Sequence, residues 1–220
     1  MSNCILIPAY NAARTIRAVV EECCCFGLPV IVVDDGSTDN TAATLQGLDV
    51  TILSHTANQG KGAALRTGFK HAAEMGYSGI ITLDADGQHN AAAIPDMIAE
   101  ALNGSWGILI ASRYTQFEQM AGLRKFWNRF GVWCMRKRTG FDITDSQSGF
   151  RYYSATMLQQ LQLVSSGYNL EMEVLVKAWK NGFTIGSVPI AARVADGRAT
   201  SHYRPVRDTW NISMTFLRYM

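Results

Sequence analysis

Two carboxylates one residue apart stand out among the residues whose types could support chemistry. Asp84 and Asp86 follow the apolar run 79–81 and precede a glycine, Gly87. In an extended strand, residues i and i+2 project to the same side, so both carboxylates would converge at the strand's end. Converging carboxylates repel each other unless a cation relieves them, and a hard divalent ion such as Mg2+ or Mn2+ suits oxygen ligands. The alternative is a solvated turn, because Asp and Gly are common turn formers.

Three other strand-like runs also end in polar residues. The run 4–7 leads to Pro8 and Tyr10, the run 30–33 ends at Asp34 and Asp35, and the run 107–112 is followed by Arg113. In parallel α/β sheets, ligands bind beyond the carboxyl ends of the strands. Four polar strand ends on one rim therefore favour a binding site over a simple turn.

The elements that must position these residues alternate along the first half of the chain. Strands are predicted at 4–7, 30–33, 50–53, 80–83 and 107–112, and helices at 13–25, 41–48, 63–75 and 91–103. This alternation predicts an α/β fold with a mostly parallel central sheet flanked by helices.

The second half of the chain is less regular. A basic amphipathic helix is predicted at 126–137, and it would either bind an anionic surface or pack on the core with a solvated basic face. A second helix is predicted at 168–180, where Glu171 and Glu173 near its start suit the helix dipole. A late strand pair is predicted at 184–185 and 188–190.

The glycine-rich stretch 58–62 precedes one of the predicted helices. It departs from the phosphate-binding pattern GxxxxGK[ST], because Gly62 and not Ser or Thr follows Lys61. This argues against a P-loop NTPase. The stretch is either a tight turn before a helix or a loop whose Lys61 faces an anionic donor.

Length and composition limit the classes of function. The 220 residues fit a single domain, predicted at 1–205, followed by an amphipathic tail at 206–220. A formal net charge of +2 is too small to argue for a nucleic-acid partner. Basic residues nevertheless cluster at 124–138 and 193–207, which indicates a local anionic partner such as phosphate or a membrane surface.

No signal peptide and no apolar run of bilayer length are recognisable in the sequence. We therefore expect a cytoplasmic protein that is at most peripheral to a membrane, on the inner face of the plasma membrane. The tail 206–220 would either lie at the bilayer surface or pack on the domain or on a partner subunit.

Five motifs together resemble those of family 2 glycosyltransferases. The first four are at 7–11, 32–39, 58–62 and 83–89, and the fifth, at 145–151, is similar to the D-x-x-SGFR motif of the dolichyl- or polyprenyl-phosphate sugar transferases in that family. The resemblance covers residues 4 to 205 in the right order. It implies a GT-A fold, a nucleotide-sugar donor and a divalent ion, Mg2+ or Mn2+.

The resemblance also assigns roles by position. Pro8, Tyr10 and Asp35 would line the base and ribose of the donor, and Asp84, Asp86 and Gln88 would hold the metal. The wider set implied for donor binding comprises Pro8, Tyr10, Asn11, Asp34, Asp35, Lys61, Asp84, Ala85, Asp86 and Arg198. The metal would stabilise the departing nucleoside diphosphate as its charge develops.

The acceptor decides which further residues are needed. Enzymes of this family that invert the anomeric centre do so in one in-line displacement, and a lipid phosphate is already an anionic nucleophile. Arg113, Arg124 and Arg151 are the candidates to bind it, because guanidinium groups match phosphate oxygens. A glycan hydroxyl would instead need a base, and Asp145 is the candidate, which places it with Asp84 and Asp86 among the catalytic residues.

Two positions depart from the family pattern. Ala12 stands where the family often has Glu, which removes a polar contact near the nucleotide. The Ser-Lys pair that often follows a late glycine in the lipid-phosphate enzymes is absent after Gly197, where Arg198 or His202 would take its place. The sequence thus predicts a metal-dependent transferase that moves a hexose from a GDP-mannose- or UDP-glucose-type donor to a polyprenyl phosphate. The alternatives are a glycan hydroxyl acceptor and a non-catalytic nucleotide-binding module.

Overall fold

The computed structural model describes residues 2–112, 136–137, 140–141, 148–190, 214–215 and 218–219. Seven strands and five α-helices have both of their ends within these residues. The strands are β1 Asn3–Ala9, β2 Val30–Asp34, β3 Thr51–Ser54, β4 Gly79–Thr82, β5 Trp106–Ser112, β6 Arg151–Ser154 and β7 Thr184–Pro189. The helices are α1 Ile16–Cys24, α2 Lys61–Glu74, α3 Ile94–Asn103, α4 Ala155–Gln160 and α5 Leu170–Lys180. Short 3-10 turns cover Ala43–Leu45 and Ala91–Ala93.

These strands form one sheet in the order β3-β2-β1-β4-β6-β5-β7. The first four strands are parallel to one another, and β5 is parallel to β7. Only β6 is antiparallel to its neighbours among these strands, and it lies between β4 and β5. The prediction of a mostly parallel sheet flanked by helices is confirmed.

The central strands are buried on both faces of the sheet, which explains their unbroken apolar runs. Along β1, Cys4 and Leu6 join the core that includes residues of α2 and α5, whereas Ile5 and Ile7 join the core that includes residues of α1 and α3. This alternation is the period-two pattern of a strand with helices packed on both sides.

A close helix–strand contact packs the middle of α2 against β1. A Cβ added to Gly68 would overlap the side chain of Leu6 in β1, so only glycine allows this approach. Because β1, β2 and β4 are parallel neighbours, their carboxyl ends meet at the same edge. Lys61, the first residue of α2, reaches that edge.

Two sequence predictions about secondary structure are wrong. The helix predicted at 41–48 is only a 3-10 turn, and Gly47 follows it with a φ of +83°. The strand pair predicted at 184–185 and 188–190 is the single strand β7. Gly186 marks a close approach and not a turn, because an added Cβ would lie 2.6 Å from the Trp106 ring.

Strand β6 and helix α4 were not predicted from the sequence. The predicted basic helix at 126–137 lies outside the described residues except for 136–137, and the tail 206–220 lies outside them except for 214–215 and 218–219. Within the described residues, no helix is both long enough and apolar enough to cross a membrane.

Candidate functional site

The carboxyl ends of β1, β2 and β4 form the rim on which the candidate site is built. Pro8 is buried within β1, opposite Val33, and the half-buried Tyr10 lies just beyond that strand. Asn11 adopts a left-handed conformation, with φ of +49°, and its side-chain oxygen accepts a 2.8 Å hydrogen bond from the backbone N–H of Thr38. Asn11 therefore joins the loop after β1 to the loop after β2.

The two acids that follow one another at the end of β2 both serve the loops around them. Asp34 accepts a 3.0 Å hydrogen bond from the backbone N–H of Ser37. Asp35 accepts hydrogen bonds from the backbone N–H groups of Gln59, at 2.9 Å, and Gly60, at 2.7 Å. Its carboxylate also lies 2.6 Å from Nδ1 of His55, and the residue is only 2% exposed.

This geometry opposes the role in donor binding that the resemblance implied for Asp35. Both carboxylate oxygens already accept hydrogen bonds, and almost no surface is left for a nucleoside. We therefore assign Asp35 to the support of the glycine-rich loop, which leads directly into Lys61.

Lys61 lies between two acids from distant parts of the chain. Its Nζ lies 2.6 Å from Oδ1 of Asp84 and 2.9 Å from Oε1 of Glu171, and it is 5.5 Å from the centre of the Tyr168 ring. Burial alone would lower the pKa of Lys61, but the two carboxylates outweigh it and raise that pKa. The ammonium is therefore charged at neutral pH.

Asp84, just beyond β4, is held by two side chains. Its Oδ1 pairs with Lys61, and its Oδ2 lies 3.1 Å from Nε2 of His89. Burial acts to raise the pKa of Asp84, but Lys61 and His89 outweigh it, so the pKa lies well below its usual range. Asp84 is therefore an ionised carboxylate in a fixed orientation.

Asp86 is in a different electrostatic position from Asp84. Burial raises the pKa of Asp86, and the nearby charge of Asp84 raises it further. Its carboxylate accepts a 2.9 Å hydrogen bond from the backbone N–H of Gln88. The backbone between the two acids is anchored as well, since the Thr15 hydroxyl donates a 2.6 Å hydrogen bond to the carbonyl of Ala85.

Arg151, predicted to bind the acceptor, lies in the interior. It is 0% exposed, and its guanidinium donates hydrogen bonds to the backbone carbonyls of Ser148, at 2.7 Å, and Glu171, at 3.0 Å. These contacts hold β6 against the start of α5. The acceptor role is corrected accordingly, because a guanidinium enclosed in this way does not face an incoming phosphate.

Three residues that contribute to the site were not predicted from the sequence. Glu171 was interpreted only as an acid that suits a helix dipole, yet it binds Lys61. His89 and His55 support Asp84 and Asp35 respectively. Only the position of His89 in the motif 83–89 gave a signal in the sequence, because the other two contacts depend on how distant segments pack.

Comparison with known proteins identifies the family. The model of the family described as "Glycosyl transferase family 2" matches residues 4–161. The chain belongs to this family. The family 2 resemblance found in the sequence is thereby confirmed, as is the expectation that the protein is a glycosyltransferase.

Several curated relatives of this chain are named as sugar transferases or synthases. A UDP-N-acetylglucosamine–dolichyl-phosphate N-acetylglucosaminyltransferase of Methanococcus voltae is 34% identical, covering 84% of this chain and 83% of the relative. A polyprenol monophosphomannose synthase of Mycolicibacterium smegmatis is 28% identical, with 84% and 75% covered. An undecaprenyl-phosphate mannosyltransferase of Micrococcus luteus is 30% identical, with 84% and 81% covered.

Solved structures of another enzyme have the same architecture as this chain. Glucosyl-3-phosphoglycerate synthase from Mycobacterium tuberculosis, in complex with phosphoglyceric acid, superposes with a TM-score of 0.77 at 20% identity, covering 99% of this chain and 79% of that one. The same synthase with Mn2+ and UDP-glucose gives a TM-score of 0.76 at 20% identity, covering 99% and 78%. The GT-A fold expected for this chain is confirmed.

The residues at the end of β4 fit a divalent ion in part. Burial raises the pKa of Asp86 and the charge of Asp84 raises it further, and a cation beside the two acids would oppose both effects. Within the described residues, however, no group of three or more His, Cys, Asp or Glu side chains is arranged to hold a metal. Asp84 and Asp86, with Gln88, therefore fit an ion whose remaining ligands come from elsewhere, such as phosphate oxygens.

The remaining predicted site residues lie outside the described residues. They are Arg113, Arg124, Asp145, Arg198 and His202. Their roles in binding the acceptor, accepting a proton or binding the donor stay predictions.

Proposed function

We propose that this chain is a metal-dependent, inverting glycosyltransferase that moves a hexose from a nucleotide sugar to a polyprenyl phosphate. The observation that carries the proposal is the similarity to enzymes named for dolichyl-phosphate, polyprenol and undecaprenyl-phosphate, each aligned over 84% of the chain. The polar rim at the ends of β1, β2 and β4 supports it, since it supplies acids and a lysine where a donor diphosphate would bind.

On the donor side, we assign different roles to different residues of the chain. Asp86 and Asp84, with Gln88, would bind the divalent ion, which supplies Lewis-acid stabilisation of the leaving diphosphate. Lys61 would add a positive charge beside the same phosphates, while Asp35 keeps the preceding loop in place. The bound nucleotide would lie along the rim near Tyr10.

On the acceptor side, a lipid phosphate needs no base. A phosphate oxygen forms the new bond to the anomeric carbon as the bond from that carbon to the nucleoside diphosphate breaks. The products are a polyprenyl-phosphate sugar and a nucleoside diphosphate. Arg113 and Arg124 are the residues we propose to bind the acceptor phosphate.

A lipid acceptor places the reaction at a bilayer surface. We therefore propose that the protein makes peripheral contact with the inner face of the plasma membrane. The basic segment 124–138 and the amphipathic tail 206–220 support this proposal through their composition.

A matrix of donors and acceptors tests the proposed function. Purified protein would be incubated with GDP-mannose, UDP-glucose or UDP-N-acetylglucosamine, each with Mn2+ or Mg2+, and with either a short-chain polyprenyl phosphate or soluble sugars. We expect product on the polyprenyl phosphate with one donor, and none in the presence of a chelator. Product on sugars alone would indicate the glycan hydroxyl alternative. Binding of a nucleoside diphosphate without turnover of any donor would indicate a non-catalytic module.

A further inference from the structure

The contact between Lys61 and Glu171 joins the two halves of the chain at the rim. Lys61 begins α2, and Glu171 lies in the first turn of α5, 110 residues later. Both side chains are largely buried, with exposed fractions of 14% and 10%. The Lys61 ammonium therefore has two carboxylate partners, Asp84 and Glu171, and little access to water.

The backbone holds this contact in place from both sides. The N–H of Ala63, in the first turn of α2, donates a 3.0 Å hydrogen bond to the carbonyl of Ser166. A Cβ added to Gly62 would lie 2.9 Å from Cβ of Leu170, the residue before Glu171. From the other side, Arg151 donates to the backbone carbonyl of Glu171. These contacts fix the backbone at Glu171 without involving the Lys61 side chain.

The charges suggest why a second acid is needed. Asp84, Asp86 and Glu171 contribute three negative charges and Lys61 one positive charge, so the ionised group carries two negative charges. One divalent ion would cancel that charge. Without Glu171, the group would carry one negative charge, and Lys61 would have Asp84 as its only carboxylate partner among the described residues.

We propose that Glu171 is a positioning residue that retains the Lys61 ammonium at the rim when Asp84 binds a divalent ion. Before the ion binds, Lys61 is shared between Asp84 and Glu171. With an ion at Asp84, Glu171 would hold the ammonium beside the site. Lys61 would then compete less for Asp84 and would remain near the position proposed for the donor phosphates. This inference rests on the proposed function, because it assumes the metal site at Asp84 and Asp86.

Binding of Mn2+ alone to the purified full chain tests the inference, with free Mn2+ measured by electron paramagnetic resonance. Glu171→Gln should weaken binding about tenfold, because Lys61 then pairs only with Asp84. Lys61→Met should strengthen binding severalfold by releasing Asp84. The matched controls are Glu74→Gln and Lys70→Met, which make the same charge changes at exposed positions of α2 and should change affinity less than about twofold.

The double variant Lys61→Met/Glu171→Gln separates two effects of Glu171 on Mn2+ binding. One is the positioning of the Lys61 ammonium, and the other is the direct attraction between the Glu171 charge and the ion. With Lys61 absent, Glu171→Gln should weaken Mn2+ binding less than about threefold, because no ammonium remains to be retained. The inference is overturned if Glu171→Gln binds Mn2+ as tightly as the unaltered chain. It is also overturned if the weakening is equal with and without Lys61, or if the unaltered chain shows no saturable binding.

Two further measurements keep these outcomes interpretable. Circular dichroism and thermal melting verify that each variant is folded, and Glu171→Asp, which keeps the charge, should retain Mn2+ affinity within about threefold. A parallel transfer assay on the unaltered chain separates the two hypotheses. Transfer to polyprenyl phosphate with unchanged Mn2+ binding in Glu171→Gln would reject the inference alone. The predicted Mn2+ effects without transfer would reject the proposed acceptor alone.

Discussion

The Asp35 carboxylate accepts a 2.7 Å hydrogen bond from the backbone N–H of Gly60, the residue that precedes α2. Through this contact, the end of β2 supports the loop that carries Lys61 to the rim. His55 completes the support, because its Nδ1 lies 2.6 Å from Asp35 and its Nε2 lies 2.9 Å from the hydroxyl of Thr67 in α2. The loop is therefore held at both of its ends.

Asp35→Asn should lower both the stability of the protein and its affinity for the donor. An amide nitrogen facing the N–H of Gly60 loses a charge-assisted hydrogen bond, which costs about 1–3 kcal/mol of unfolding free energy. The displaced loop would move Lys61, and the KM for the nucleotide sugar should rise. Urea denaturation and initial-rate kinetics measure the two effects, with the exposed Asp49→Asn as control. A raised KM at unchanged stability would instead favour direct contact between Asp35 and the nucleotide.

Gly149→Ala should inactivate the enzyme by displacing Asp84. A Cβ at position 149 would lie 2.8 Å from Cγ of Asp84, which is closer than unbonded carbons approach. The carbonyl of Gly149 also accepts a 2.8 Å hydrogen bond from the Thr82 hydroxyl, so the backbone has little freedom to withdraw. We expect transfer to fall at least about 100-fold, the scale at which a misplaced catalytic group is felt.

Gly167→Ala is the control for that substitution. Its added Cβ would lie no closer than 3.2 Å to a neighbouring atom, Oδ1 of Asn169, so a small shift of a side chain can accommodate it. Equal losses of transfer in both variants would contradict the assignment of the effect to Asp84. A crystal structure of Gly149→Ala would locate the displaced carboxylate.

The sequence predicted the parallel half of the sheet because its pattern is local. Strands β1, β2 and β4 are short apolar runs that end in polar residues. Each run by itself predicts a buried strand and the place where that strand ends. The convergence of Asp35 and Asp84 on one rim follows from parallel strand order alone. The antiparallel β6 could not be predicted in this way, since Arg151–Ser154 has neither an apolar run nor a clear alternation.

The contacts that complete the site depend on packing between distant segments. Lys61 meets Glu171 only because the segment before α5 docks on the start of α2. Likewise, Arg151 matched a motif and suggested a phosphate ligand, but its burial depends on the insertion of β6 between β4 and β5. The residue types indicated what chemistry these side chains could support. Their interaction partners could be identified only from the folded structure.

Stability should fall in acid through Glu173, which accepts hydrogen bonds from the backbone N–H groups of Val164 and Ser165 and from Lys177. Burial acts to raise the pKa of Glu173, but these bonds outweigh it and leave the pKa below its ordinary value of 4.5. A lowered pKa in the folded state stabilises the protein above pH 4.5, and this contribution is lost as the pH falls through the folded-state pKa.

Glu173→Gln tests this origin of acid sensitivity. The variant should lose about 1–3 kcal/mol of unfolding free energy at pH 7, because the amide is a poorer acceptor than a buried carboxylate. It should also show a flatter dependence of stability on pH below 4.5. Urea denaturation between about pH 3 and about pH 7, a range that brackets the reference pKa of Glu, measures both quantities. An unchanged slope in acid would assign the pH dependence to other carboxylates, and the exposed Glu74→Gln is the matched control.

Asp86→Asn should separate activity from stability. The raised pKa of Asp86 means that burial and the charge of Asp84 destabilise its ionised form in the folded protein. Asn removes the charge while keeping an oxygen for the N–H of Gln88, so the melting temperature should rise by up to about 3 °C. Transfer should fall about 100-fold or more, since a proposed metal ligand is lost. Full transfer by Asp86→Asn would reject its role at the metal, and a lowered melting temperature would reject the electrostatic argument.

His89→Leu should impair transfer while leaving the fold nearly as stable. The imidazole is only 5% exposed and packs edge-on against Phe150, with 5.7 Å between the ring centres. Its Nδ1 has no hydrogen-bond partner within the described residues, so a leucine of similar volume relieves one unmet polar group while losing the bond to Asp84. These effects largely offset each other, and the unfolding free energy should change by less than about 1 kcal/mol.

Transfer by His89→Leu should nevertheless fall about 10- to 100-fold, because groups that orient a ligand of the metal affect catalysis on that scale. Asp84 keeps Lys61 but loses the contact at Oδ2 that fixes the rotation of its carboxylate. Initial rates at saturating donor, together with urea denaturation, measure the two quantities on one preparation. His71→Leu, in the last turn of α2 and distant from Asp84 in the fold, is the control. Normal transfer by His89→Leu would show that Lys61 alone orients Asp84, whereas a large loss of stability would show that the imidazole is chiefly a packing residue.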